Sequence, residues 1–170
     1  TRSLAGSPIL EVALERTCRF LAILLPDMAL QVTSTREVAR LEIRETQPLG
    51  SAPTDPCRIF AFEWLLRLLH GLFSWLVGRG LVLETVSFPY PRPAHAAEYA
   101  VIYTEHSSFG GDTLIATFQA NMLDLPIRRD EAAIEAFLEG APGKLTTLYR
   151  RDREMVLRVR DSLRAALPYS

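Results

Sequence analysis

The sequence predicts an α+β domain: a small, mainly antiparallel sheet with helices packed against it. Three observations lead there. The elements run helix, strand, strand, helix, strand, helix, strand and then helices, without the βαβα alternation of a doubly wound sheet. Ala39, Leu41 and Ile43 alternate with Arg40, Glu42 and Arg44, the period-2 mark of a strand buried on one face only. The 170 residues are 48% hydrophobic and 23% charged, which supplies a sizeable core and argues against disorder.

The first helix is expected from about Pro8 to Leu25. Ser7 offers a capping hydroxyl and Pro8 sits where no N–H is needed. Leu10, Ala13, Leu14, Leu21 and Leu24 form its buried side, opposite Glu11, Glu15 and Arg19, and Pro26-Asp27 ends it. Strands follow at Met28 to Thr33 and Val38 to Arg44, joined by a turn over Ser34 to Glu37. Gln47 to Asp55, with Pro48, Gly50 and Pro53, reads as a loop. Asp55-Pro56 starts a long apolar helix that Gly78 to Gly80 stops. A third strand is expected at Val82 to Phe88, closed by Pro89, Pro91 and Pro93, and a helix at Ala94 to Thr104. His106 to Asp112 reads as a glycine-rich turn into a fourth strand at Thr113 to Phe118. Asp130 caps a short helix to Glu139, Gly140 to Gly143 breaks it, and a last amphipathic helix runs from about Lys144 to Leu167.

Charge and cysteine usage narrow the class. The net charge is −1, so a broad basic nucleic-acid face is not expected. Residues 1–143 hold 12 basic and 17 acidic side chains, whereas residues 144–170 hold 7 and 3, which makes an acidic body with a basic tail. Cys18 and Cys57 make no disulfide framework and fall short of a zinc quartet. The stretch from Ile59 to Gly78 has membrane-like length, but Glu63, Arg67, His70 and Ser74 share one narrow stripe of it, and Glu63 precedes Arg67 in the favourable i,i+4 order. That pattern predicts a core helix and no membrane span.

Signals for catalysis are sparse. His70, His95 and His106 lack partners at metal-ligand spacing, Gly110-Gly111-Asp112 matches no phosphate-binding pattern, and no G-x-S-x-G elbow occurs. No cofactor, metal site or catalytic residue is expected. The polar stripe reads either as the solvated edge of a core helix or as a pocket wall, with Trp64, Arg67 and His70 as ligand-binding candidates and Arg67 pairing an anionic ligand. Tyr99 is a fourth candidate, among Tyr90, Tyr103 and Phe109.

Several short motifs occur in a familiar order. Ser7-Pro8-Ile9-Leu10 with Ala13-Leu14, the Leu-rich helix at 59–78, Val86-Ser87-Phe88 with its proline-rich exit, Tyr99 ahead of Phe109, Leu123-Asp124-Leu125-Pro126-Ile127, and Val159-Arg160-Asp161-Ser162-Leu163 with Leu167-Pro168 follow one another along the chain. Together they resemble the arabinose-binding-type N-terminal domain of AraC/XylS transcription regulators. Gly110-Gly111-Asp112 departs from that pattern, and no helix-turn-helix appears before Ser170. The resemblance implies a regulatory domain of a cytoplasmic bacterial regulator, sensing a small-molecule effector, forming a homodimer, or both. DNA would be read only through a C-terminal helix-turn-helix domain outside this sequence. On this reading residues 1–143 form the effector-binding domain and residues 144–170 a helical linker whose apolar face offers a dimer seam. The rival readings are a ligand-free dimerisation module and, behind it, a small hydrolase or transferase.

Overall fold

The computed structural model describes residues 9–130 together with 132, 133 and 136. The chain divides into a unit at Thr1–Arg128 and a second at Arg129–Ser170. The first unit runs α1 (Leu10–Leu24), β1 (Met28–Ser34), β2 (Val38–Glu45), α2 (Pro56–Val77), β3 (Thr85–Phe88), a 3-10 turn (Ala96–Glu98), α3 (Tyr99–Ile102), β4 (Ser107–Phe109), β5 (Leu114–Gln119) and a second 3-10 turn (Ala120–Asp124). The fold is α+β, as expected.

The five strands form one sheet in the order β1-β2-β5-β3-β4. All neighbours are antiparallel except β3 and β4, which pair in parallel. Alternation decides the faces. Ala39, Leu41 and Ile43 of β2, Leu114, Ala116 and Phe118 of β5, and Val86 and Phe88 of β3 are buried. Arg40, Arg44, Gln119 and Thr85 point the other way and are exposed. The helices complete the core with Leu10, Leu14, Cys18 and Leu21 of α1 and Phe62, Leu65, Leu66, Leu69, Phe73, Leu76 and Val77 of α2.

Helix α2 begins and ends as its sequence signals predict. The Asp55 carboxylate accepts from the Cys57 N–H at 2.9 Å, Pro56 occupies the first turn, and Gly78 closes the helix at φ 71°. By length and composition alone α2 would reach across a membrane. Its eight buried residues and the sheet beside it make it a core helix of this domain.

Several local expectations change. Helix α1 starts after Ile9, an extended residue with no side-chain cap; Ile9 bridges Pro126, and the Leu10 N–H donates to the Leu125 carbonyl. Ser7 and Pro8 lie outside the described residues. Leu24, expected on the buried side, is 57% exposed. The strand expected from Val82 begins only at Thr85, because side chains of α2 hold the preceding backbone. Ser74 Oγ accepts from the Leu81 N–H at 3.1 Å, and His70 Nε2 donates to the Leu81 carbonyl at 2.5 Å. The helix expected over 94–104 is a 3-10 turn followed by a single α turn. The turn expected at His106 to Asp112 contains β4, held by the Val86 N–H on the His106 carbonyl and ended by Gly110 at φ 82°. In the second unit Asp130 Oδ1 accepts from the Ala133 N–H at 2.7 Å, the cap expected there. The break at Gly140 to Gly143, the boundary at 143/144 and the final helix lie outside the described residues.

Candidate functional site

Two grooves flank the N-terminal half of α2. The larger, of about 480 Å³, lies between α2 and the proline-rich segment after β3, with Ile59, Phe60, Glu63, Arg92 and His95 among its walls. The other, of about 400 Å³, is formed by the loop after β2 together with Glu45 and Arg58.

Glu63 joins the larger groove to a buried aromatic cluster. Its Oε1 accepts from the Tyr99 hydroxyl and contacts His95 Nε2. Tyr99 is 1% exposed and also bonds the Tyr90 hydroxyl at 2.8 Å. Because Tyr99 gives its single proton to Glu63, Tyr90 must be the donor to Tyr99. Tyr103 closes the arrangement by donating to the Glu63 backbone carbonyl at 2.8 Å. The Tyr99 and Tyr103 rings pack edge to face, with centroids 5.3 Å apart at 88°, and the Phe88 ring lies 4.7 Å from Tyr99, tilted at 54°. The Arg92 guanidinium lies 5.5 Å from the centre of the Phe109 ring, within cation–π range.

This environment keeps the phenols protonated. Burial raises the pKa of Tyr99 far above its ordinary value, and its bonds to Glu63 and Tyr90 raise it further. Burial likewise raises Tyr90 and Tyr103; the Glu63 charge adds to both, and Arg67 partly offsets the effect at Tyr103. The cluster is thus a fixed chain of neutral donors ending on one carboxylate. A carboxylate has about four acceptor positions, of which the Tyr99 and His95 contacts, both on Oε1, use two, and Glu63 is itself a wall of the larger groove.

At the smaller groove Arg58, 9% exposed, bonds Glu45 Oε1 through Nε at 2.7 Å and the Pro89 carbonyl through Nη1 at 2.5 Å. Burial works to raise the Glu45 pKa. The Arg58 hydrogen bond, the Leu49 N–H and the Arg58 charge outweigh it and hold the carboxyl below its ordinary value. This pair ties the end of β2 to the start of α2. Cys18 carries no activated thiol: burial, then the Glu15 charge, push its pKa up to about 11. Among the described residues no group of three or more His, Cys, Asp or Glu is placed to hold a metal ion.

None of the four sequence candidates is among the residues lining the larger groove. Tyr99 stands at the centre of the cluster. Trp64 is half-buried and Arg67 exposed on α2, while His70, one turn further along, holds the Leu81 carbonyl. The sequence singles out Glu63 as a member of the polar stripe and as the partner expected for Arg67, but its convergence with His95, Tyr99 and Arg92 crosses from α2 to a segment about thirty residues away. The proline run that shapes this segment was the available signal.

Residues 2–127 match the family described as the arabinose-binding domain of AraC transcription regulators, N-terminal. The chain belongs to that family. It is also similar to an ornithine utilization regulator of Pseudomonas aeruginosa, 34% identical over 84 residues, which cover 48% of this chain and 23% of that protein. The match thus spans less than a quarter of the relative's length. The arabinose-binding-type domain is the regulatory, N-terminal part of a transcription regulator.

Proposed function

We propose that this arabinose-binding-type domain senses a small effector in the groove between α2 and the proline-rich segment, and that the effector carries an amine. The observation that carries the reading is Glu63, a carboxylate braced from behind by Tyr99 and bordering a groove large enough for a small metabolite. An ammonium group on Glu63 with a carboxylate on Arg92 would select an amino-acid-like ligand. The similarity to an ornithine utilization regulator supports this chemistry. Trp64, Arg67 and His70 follow Glu63 along α2 outside the groove lining, and in this reading they flank the site. Residues 1–143 act as the sensing domain and residues 144–170 as the link to a DNA-binding domain, in a cytoplasmic homodimer that reads DNA only through that further domain.

Calorimetric titration of the 170-residue chain with L-ornithine, putrescine and L-arabinose tests it. Ornithine is expected to bind, and Glu63→Gln to weaken it by about tenfold or more, the equivalent of about 1.4 kcal/mol. Binding by arabinose alone would reject the amine chemistry. Heat from none of the three would favour the ligand-free dimerisation module.

A further inference from the structure

Strand β1 is an outer strand of the sheet, and no described residue pairs with its free edge. Proteins commonly protect such edges with charge, proline, a bulge or extreme shortness. The opposite edge, β4, is three residues long. β1 is seven residues long, reads Met-Ala-Leu-Gln-Val-Thr-Ser, and has neither charge nor proline. Its register with β2 is unbroken from Met28 to Ser34. The last turns of α1, which lead into it, leave Phe20, Ile23 and Leu24 56%, 79% and 57% exposed.

The backbone decides which groups face outward. The Thr46 N–H donates to the Asp27 carbonyl and the Thr35 N–H to the Val38 carbonyl, so the odd-numbered residues of β1 spend their backbone groups on β2. Leu30, Val32 and Ser34 therefore direct their N–H and C=O groups outward. A second β1 lying antiparallel about a two-fold axis through Gln31 would pair Leu30 with Val32 of the other copy in both directions, and the Met28 carbonyl would accept from the Ser34 N–H of the other copy, the Met28 N–H being held by the Leu25 carbonyl at 3.0 Å. The same register sets Asp27 opposite Thr35 and beside Arg36 of the other copy, giving opposite charges at both ends of the ribbon; all three side chains are exposed. Sliding one copy by two residues would set Asp27 against Glu37 instead. In this register the strand is self-complementary in backbone hydrogen bonding and in charge, as an isologous contact requires.

We propose that two copies of this chain join through β1, edge to edge and antiparallel about Gln31, into one continuous ten-stranded sheet. This rests on the homodimer reading but not on the effector. Sedimentation velocity of the 170-residue chain across the micromolar range tests it, with thermal unfolding as the check on folding. The wild type is expected to be dimeric. Gln31→Lys sets like charges face to face on the axis and should weaken the dimer by about tenfold or more. Val32→Pro removes an outward N–H without touching the β2 ladder and should act the same way. Mixing Gln31→Lys with Gln31→Glu protein should restore a heterodimer, which only a two-fold through residue 31 explains. A monomeric wild type would overturn both this contact and the homodimer. A dimer indifferent to Gln31→Lys, or a mixture that stays monomeric, would overturn the β1 contact alone.

Discussion

Glu63, Tyr99 and Tyr90 show how one proton direction organises a site. The carboxylate accepts, which obliges Tyr99 to donate to it and Tyr90 to donate to Tyr99. Tyr99→Phe removes the middle hydroxyl and leaves Tyr90 without its acceptor, so urea unfolding should show a loss of about 1–3 kcal/mol. The packing residues are graded differently. Leu69 is fully buried and Leu68 half-buried on the same helix. Leu69→Ala is expected to cost about 2–5 kcal/mol by cavity formation, and Leu68→Ala clearly less. Equal losses in denaturant titrations would contradict that grading.

Helix α2 carries two kinds of information at once. Its apolar positions build the core, while its polar stripe serves the chain around it. Glu63 meets Tyr99 and His95, and His70 and Ser74 hold Leu81 so that the strand starts late at Thr85. The stripe borders the larger groove at Glu63 and holds the Leu81 backbone at His70 and Ser74, and its spacing could not show which residue meets which segment. Its ends were legible because caps are local. Gly78 sits at φ 71°, and a Cβ there meets Arg128 only at 3.6 Å, so strain rather than collision decides the outcome. Gly78→Ala should destabilise by about 1 kcal/mol, read as a lowered melting temperature.

For the whole molecule the sheet and helices are joined by ionisable contacts that set a pH window. Glu45 and Asp55 have folded-state pKa values below their ordinary ones, Asp55 through the Ser51 and Cys57 N–H groups. Their contribution is present above the unfolded carboxylate pKa and is lost as pH falls through the depressed values. Tyr90, Tyr99 and Tyr103 act in the opposite sense. Their folded pKa values are raised, so stability is retained below about 10, the ordinary tyrosine value, and declines as pH rises beyond it. Melting temperature against pH should show both limbs. Glu45→Gln is expected to flatten the acid limb and Tyr99→Phe the alkaline one; unchanged limbs would assign the pH dependence to other groups.

The sequence by itself determined the α+β class, the β1–β2 hairpin, both ends of α2 and the alternation that buries Ala39, Leu41 and Ile43. Each follows from side-chain period or capping chemistry within a few residues. Only the tertiary structure decided that Ser107–Phe109 is a strand, since a three-residue segment has too little pattern to show period 2 and exists because β3 lies parallel beside it. The same holds for Glu63, Tyr90, Tyr99 and His95. Their meeting depends on the proline-rich segment returning to α2 across some thirty residues, and contacts of that range leave no periodic trace in the chain.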